Sequence, residues 1–204
     1  MKSIESQILD RISSQGYGWT FSAKDFINLG SREAIDIGLH RIEKKKIIRR
    51  VIRGIYDYPK KGKLTGGLIS PDPFTVAQTI ARRNNWKIIP NGETALNVLG
   101  LSTQMPVAFI FFSNGQNRSY QLGKFEIIFK HKIAKDFFKT SDIEDLIIQS
   151  IKTLGKDGID NTKIRIMRKK LSRQGRQQLL NHAQYGTEWI FRVIKKICMA
   201  EENE

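Results

Sequence analysis

Apolar residues in the first 60 positions recur at helical spacing and then give way to two short segments rich in β-branched and aromatic residues. Ile4, Ile8 and Ile12 lie on one face of a predicted amphipathic helix. Ser22 and Ser31 each stand where a further helix would begin. The predicted order of helix, short strand, helix, helix and β-hairpin is that of a winged helix-turn-helix. The predicted elements are a helix over 3–14, a strand over 19–21, a helix over 22–29 with Phe26 and Ile27 facing inward, a helix over 31–45, and strands over 47–51 and 54–58.

The third predicted helix divides into an apolar and a polar face. Ile35, Gly38, Leu39 and Ile42 share one face, because residues three and four apart in a helix lie on the same side. We expect this face to be buried and the other to be exposed. The opposite face carries Glu33, Asp36, Ile37, His40 and Lys44, with Arg41 at its edge.

A segment without apolar periodicity separates this region from the rest of the chain. Residues 60–67 contain three glycines and indicate a linker, so the sequence predicts two domains, 1–63 and 68–204. The fold class predicted for the whole chain is α+β: an N-terminal winged helix-turn-helix, then a mixed α/β region with a small antiparallel sheet and a helical C-terminus. The second domain is predicted to contain helices over 74–84, 91–99, 142–154, 160–172, 173–183 and 187–199, and strands over 86–89, 107–112, 118–122 and 125–130.

The charge of the chain is strongly positive. The formal net charge is +15, of which residues 1–63 carry +7 and the two following thirds carry +4 each. This balance favours a polyanionic partner, with nucleic acid as the first candidate and an anionic membrane surface as the second. No apolar run approaches the roughly 18 residues of a membrane span, and the N-terminal residues lack the apolar core of a signal peptide. We therefore expect a cytoplasmic protein without a membrane partner.

The residues at the start of a recognition helix reach base edges in the helix-turn-helix mode of DNA binding. Arg32 has the chemistry to donate to a guanine edge, and Glu33 or Asp36 to accept from a cytosine amine. His40, Arg41 and Lys44 suit phosphate contacts, as do the arginines of the hairpin. Successive strand residues point to opposite faces, so Arg49 and Arg50 are not expected to face the same side. The predicted DNA-binding residues are Ser31, Arg32, Glu33, Asp36, His40, Arg41, Lys44, Arg49, Arg50 and Arg53.

Each part of this basic pattern also has a reading that requires no ligand. Lys44–Lys46 at the end of a helix complement the helix dipole. The two acids on the polar face fit either selective DNA readout or a surface that meets protein. A second basic stretch fits either a second nucleic-acid contact or the solvated face of a helix whose apolar side is Ile164, Met167 and Leu171. The basic residues of this stretch are Arg165, Arg168, Lys169, Lys170, Arg173 and Arg176.

The sequence offers little for enzyme chemistry. His40, His131 and His182 are isolated from one another and from Cys198, the single cysteine. One thiol forms neither an internal disulfide nor a multi-cysteine zinc site. There is no nucleophile elbow and no phosphate-binding loop of the G-x-x-x-x-G-K type. We therefore expect no metal, no cofactor and no catalytic activity.

The segment SREAIDIGLHRIEKKKIIRRVIRGIYDYP, residues 31–59, resembles the winged-helix domain of the AbiEi-like antitoxins and their stand-alone relatives. Its ending R-x-x-R-G-I-Y-D-Y-P, residues 50–59, is the most specific part. The resemblance continues through residues 71–106 and 114–131, and is looser over the helical C-terminus. Lys46 departs from the pattern, since similar sequences usually have glycine there, and a left-handed backbone is more costly without it.

This resemblance implies a repressor that binds inverted repeats in double-stranded DNA of its own promoter. It also implies an antitoxin that counters a co-encoded nucleotidyltransferase-like toxin, in many cases without a tight complex. A regulator without a toxin is one alternative, and a nucleic-acid-processing enzyme with a winged-helix targeting module is another. The residues that carry the implied DNA contacts are Arg32, Glu33, Asp36 and His40 on the recognition helix and Arg49, Arg50 and Arg53 in the wing.

Overall fold

The computed structural model describes residues 2–62, 66–104, 106–132, 142–184 and 186–199. Helices and strands are mixed along the chain, which gives the α+β fold that the sequence predicts. The helices are α1 (Ile4–Gln15), a 3₁₀ helix (Ala23–Leu29), α2 (Arg32–Lys44), α3 (Pro73–Asn84), α4 (Gly92–Leu99), α5 (Asp142–Leu154), α6 (Asn161–Lys169), α7 (Arg173–Ala183) and α8 (Glu188–Met199). The strands are β1 (Thr20–Phe21), β2 (Arg49–Ile52), β3 (Ile55–Asp57), β4 (Ile88–Pro90), β5 (Ala108–Ser113), β6 (Arg118–Leu122) and β7 (Phe125–His131).

Contacts group the chain into two units. The N-terminal unit comprises Met1–Lys87 and Ser119–Ile127. The C-terminal unit comprises Ile88–Arg118 and Ile128–Glu204. The sequence predicted two domains, 1–63 and 68–204, and this boundary stays a prediction. Residues 63–65 lie outside the described residues, and α3 groups with the N-terminal unit.

The N-terminal unit contains a small antiparallel sheet of order β1-β3-β2. Strand β3 is central, and its Asp57 lies opposite Thr20 on one side and Arg49 on the other. The register shifts by one residue between Arg50 and Ile52, which is a bulge in β2. The pairing of β3 with β1 attaches the β2–β3 hairpin to the strand that follows α1.

The first three helices bury one shared core beside this sheet. Gly38 brings α1 and α2 into close approach, since a Cβ there would lie 3.0 Å from Cδ1 of Ile8. The face of α2 predicted to be inward is buried, as the sequence indicates. The buried residues of this core are Ile8, Ile12, Phe21, Ala23, Phe26, Ile35, Leu39, Ile42 and Ile48.

One sequence prediction about this core is wrong. Phe26 is fully buried, but Ile27 is 69% exposed. The segment is a 3₁₀ helix with three residues per turn, so adjacent side chains diverge by about 120°. One of the two neighbours therefore faces away when the other enters the core.

Within the N-terminal unit, helix α3 packs against β1 through a group of threonines. The Thr20 hydroxyl donates to the Thr75 carbonyl at 2.9 Å and lies 2.7 Å from the Thr79 hydroxyl. The Thr79 hydroxyl lies 3.0 Å from the Thr20 carbonyl. Next to this group, the Arg82 guanidinium donates to the Asp25 carboxylate at 2.7 Å. Helix α3 is thus tied to both β1 and the 3₁₀ helix.

The remaining strands form a sheet of order β4-β5-β7-β6, in which β4 pairs antiparallel with β5. In the C-terminal unit, Gly92 at the start of α4 fits closely against α5. A Cβ at this glycine would lie 1.5 Å from the Thr153 hydroxyl oxygen. Helices α5 to α8 contribute a further buried group that includes Ile147 and Ile194. Among the described helices, none has the length and apolar character needed to cross a bilayer.

Helix α2 ends at a left-handed residue. The Lys46 N–H donates to the Glu43 carbonyl at 2.8 Å, and the Ile47 N–H donates to the Ile42 carbonyl at 3.3 Å. This pair of bonds is the Schellman motif, whose left-handed position is usually glycine. Lys46 occupies that position with φ of 57°. Lys46 therefore adopts the backbone conformation that glycine usually supplies between α2 and β2, although its side chain makes that conformation costly.

Replacing Lys46 by glycine should stabilise the protein. Lys46→Gly removes the strain at positive φ, and we expect the free energy of unfolding to rise by about 0.5–1 kcal/mol in urea titrations. Lys46→Ala is the matched control, because it removes the same charge but keeps a Cβ at this position. Equal stability of the two variants would contradict a backbone origin of the effect.

Candidate nucleic-acid interface

The polar face of α2 is exposed from its first residue to its last. Ser31 caps the helix, and its hydroxyl accepts a hydrogen bond from the Ala34 N–H at 3.3 Å. Ile37 is 52% exposed in the middle of this face. The exposed residues of the helix and its cap are Ser31, Arg32, Glu33, Asp36, Ile37, His40, Arg41 and Lys44.

Two predicted base-reading residues form an ion pair with each other. The Arg32 Nε donates to Asp36 Oδ2 at 2.8 Å, one helical turn along α2. Their side chains are 63% and 52% exposed, so the pair contributes only about 0–1 kcal/mol and exchanges easily. The Arg32 guanidinium therefore stays available at the surface despite the ion pair.

The β2–β3 hairpin separates its three arginines into two roles. Arg50 and Arg53 are exposed, on β2 and in the turn respectively. Arg49 instead donates through Nε and Nη2 to the Asp57 carboxylate, at 3.0 and 2.5 Å, and through Nη2 to the Ile69 carbonyl at 2.9 Å. Asp57 is 1% exposed, and the hydrogen bond with it raises the pKa of Arg49. We therefore remove Arg49 from the candidate interface, since its Nε and Nη2 donors are engaged within the protein.

Tyr56 links the hairpin to α2, although it is not among the site residues predicted from the sequence. Burial is the largest cause that raises the pKa of this phenol, and the Glu43 and Asp36 carboxylates raise it further, while Arg50 and Arg32 lower it. The pKa of the Tyr56 phenol is thus influenced by charged side chains of both α2 and β2. The register that pairs Arg50 with Tyr56 places the two side chains on one face of the hairpin. Alternation along β3 was the signal that could have identified this residue.

The lysines at the end of α2 differ in their surroundings. Lys45 forms an ion pair of 2.5 Å with Glu5 of α1, so it serves helix packing. Within the part of the chain that the structure describes, Lys44 makes no ion pair and is exposed. The exposed cations of α2 and the hairpin, besides the paired Arg32, are Arg41, Lys44, Arg50 and Arg53.

The second basic stretch also separates into exposed and inward residues. The Arg168 Nη1 donates to the Ile197 carbonyl at 3.1 Å, near the C-terminal end of α8. Arg168 and Arg176 both influence the Cys198 thiol, whose pKa burial nonetheless raises to about 11. These two arginines therefore complement a helix end and are only half-exposed. The exposed members are Arg165, Lys169, Lys170 and Arg173.

The described histidines do not meet other metal-binding side chains in a cluster. His131 Nδ1 lies 2.8 Å from the Gly115 carbonyl, and His182 Nδ1 lies 2.9 Å from the buried Glu144 carboxylate. His40 is exposed on α2. Among the residues that the structure describes, no group of three or more His, Cys, Asp or Glu side chains is placed to hold a metal ion.

Comparison with known proteins gives a family but no activity. The profile of DUF6088, described as a family of unknown function, matches residues 7–179. This range includes α2, the β2–β3 hairpin and the exposed part of the second basic stretch. No curated protein matches the sequence.

The two adjacent arginines of β2 should respond differently to replacement. Arg49→Ala leaves the buried Asp57 carboxylate without its cation, and we expect a loss of about 3 kcal/mol in the free energy of unfolding. Arg50→Ala, the matched control, removes an exposed side chain and should change stability by no more than about 0.5 kcal/mol. Urea titration of both variants measures the difference. Similar losses would contradict the structural role assigned to Arg49.

Proposed function

Since the chain belongs to DUF6088, a family of unknown function, we propose that it is a DNA-binding repressor and antitoxin that regulates its own operon. Residues 4–57 act as the winged helix-turn-helix, with α2 as recognition helix and the β2–β3 hairpin as wing. The observation that carries the proposal is the exposed polar face of α2, which lies beside a hairpin with two exposed arginines. The protein acts in the cytoplasm and has no catalytic role.

The order and packing of the N-terminal elements support this assignment. Helices α1 and α2 and the 3₁₀ helix bury a common core, and the sheet order β1-β3-β2 attaches the hairpin beside them. Helix α2 has 13 residues and is therefore about 20 Å long. A helix of this length with one free face fits the major groove, which is about 12 Å wide.

The exposed cations support a phosphate-binding role. Arg41 and Lys44 lie toward the end of α2, and Arg50 and Arg53 lie on the hairpin, so the positive charges flank the face that would read bases. Each phosphate that such a residue neutralises releases condensed counterions from the duplex. Binding is therefore expected to weaken steeply as salt increases.

The acidic residues on α2 favour selective binding over indiscriminate binding. Glu33 and Asp36 repel phosphates, and hydrogen bonds accepted from cytosine amines in the groove would offset this cost. The weak Arg32–Asp36 pair leaves the guanidinium at the surface, where it is available to a guanine edge. Ile37 offers an apolar contact for a thymine methyl group. Together these side chains suit a defined operator.

The antitoxin part of the proposal depends on the resemblance to AbiEi-like antitoxins, above all on residues 50–59. Within this segment, Arg53 and Gly54 form the hairpin turn and Asp57 holds Arg49. The partner DNA is then the inverted repeats of the protein's own promoter. The toxin is a co-encoded nucleotidyltransferase-like protein, which is countered through the C-terminal region.

The exposed part of the second basic stretch extends the proposal to a second phosphate contact. Arg165, Lys169, Lys170 and Arg173 occupy the end of α6 and the start of α7. The first turn of α7 contains no acidic residue and begins with Arg173, although the helix dipole disfavours a cation there. A phosphate at this position would relieve that repulsion.

Base-reading and phosphate-binding residues should be separable by titration. Arg32→Ala should cost about 1–3 kcal/mol in affinity for the promoter duplex and reduce discrimination against a shuffled duplex. Lys44→Ala should weaken both duplexes alike and lower the salt slope by about 1. Fluorescence anisotropy at several salt concentrations measures both effects. Equal losses on both duplexes for Arg32→Ala would contradict its reading of bases, and no retention of promoter DNA by the natural protein at low salt would overturn the proposal.

Antitoxic activity should appear in co-expression. The natural protein should restore growth to cells that express the neighbouring open reading frame of its operon from a foreign promoter. The Arg32→Ala variant is the matched control and should restore growth equally well, because its defect lies in promoter binding. Promoter binding without growth rescue would identify a regulator without a toxin.

A further inference from the structure

The turn of the β2–β3 hairpin is held by a residue of α3. The Arg83 Nη1 donates to the Arg53 carbonyl at 2.9 Å, although 30 residues separate them in sequence. A Cβ at Gly54 would lie 2.9 Å from the same nitrogen, so the absence of a side chain there lets the guanidinium approach. Arg83 is half-buried, whereas the Arg53 side chain points to solvent.

The backbone conformation of this turn explains why the hydrogen bond from Arg83 stabilises it. Ile52 pairs with Ile55, which leaves Arg53 and Gly54 as a two-residue turn. Gly54 has φ of 75°, and the non-glycine residues with positive φ in the described chain are Lys46 and Asn85, so Arg53 has negative φ. Turns of types I′ and II′, which match the twist of paired strands, need positive φ at the first central residue. The Arg53–Gly54 turn is therefore of a less favourable kind, and Arg83 stabilises it from outside.

We propose that Arg83 is a positioning residue for DNA binding, because it fixes the hairpin turn so that the Arg53 guanidinium is ordered for a phosphate contact. The inference rests on the proposed function and adds α3 to the elements that shape the interface. Arg82, its neighbour on α3, serves a different part of the unit, since it donates to Asp25 of the 3₁₀ helix and to the Thr20 carbonyl. The two arginines thus brace two separate segments.

A double-mutant cycle tests the proposal. Arg83→Ala should weaken promoter binding by about threefold to tenfold, the effect of one lost hydrogen bond that orders a contact residue. In an Arg53→Ala background, the same change should weaken binding by less than about twofold, since the side chain that Arg83 positions is gone. If Arg83 instead contacts DNA itself, the two effects multiply, and the salt slope falls by about 0.9 in both backgrounds. That result would overturn the positioning role.

Three further variants separate positioning from general loss of structure. Arg83→Lys keeps one donor and should recover part of the affinity. Gly54→Ala crowds the guanidinium and strains a positive φ, so it should reproduce the Arg83→Ala defect without removing a charge. Arg82→Ala is the matched control on α3, and its effect on affinity should persist in full in the Arg53→Ala background. All titrations are made below the onset of thermal unfolding of each variant.

The binding measurements distinguish an error in the role of Arg83 from an error in the proposed function. If Arg32→Ala and Arg53→Ala weaken promoter binding but Arg83→Ala does not, the positioning role is overturned and the proposed function stands. If the natural protein fails to retain promoter DNA at low salt, the proposed function itself is overturned.

Discussion

The buried carboxylate of Asp57 is the constraint on which the N-terminal unit depends. It lies on the central strand β3, opposite Thr20 on one side and Arg49 on the other, and it is 1% exposed. A charge buried to this degree requires a cation, and Arg49 satisfies it through two hydrogen bonds. A slip of one residue in the hairpin would turn Arg50 toward Asp57 and Arg49 toward solvent. The ion pair therefore fixes both the strand register and the choice of arginine that faces outward.

Helix α3 extends the unit beyond the hairpin. Its buried threonine contacts hold it on β1, and its last turn directs Arg82 to the 3₁₀ helix and Arg83 to the hairpin turn. Cations in the last turn of a helix are favoured by the dipole in any case. Here the same residues also have defined partners, so the dipole accounts for their charge and the contacts account for their directions. A helix that lies in sequence after the glycine-containing segment 60–67 thus stabilises two segments that precede it.

In the proposed DNA-binding mode, the charge distribution on α2 balances affinity against selectivity. Exposed cations on α2 and the hairpin increase attraction to any polyanion, and this attraction is screened within about 8–10 Å at physiological salt. Glu33 and Asp36 oppose such attraction in the N-terminal half of the same face. A surface built only for non-specific binding would gain from the absence of these acids. Their presence beside Arg32 supports the proposal of sequence-dependent over indiscriminate binding.

The sequence by itself determined the features that depend on local spacing. It predicted the α+β fold class, and it identified the buried face of α2 because residues three and four apart share a side of any helix. The orientation of adjacent strand residues was harder to predict. Alternation required Arg49 and Arg50 to point to opposite faces, but which of them points inward depends on Asp57 and on the pairing of β3 with β1, which lies earlier in the chain. Ile27 was misplaced because the sequence did not distinguish a 3₁₀ helix from an α-helix. The contact of Arg83 with the hairpin turn was decided only by the tertiary structure, since no local periodicity relates residues that meet through packing of separate elements.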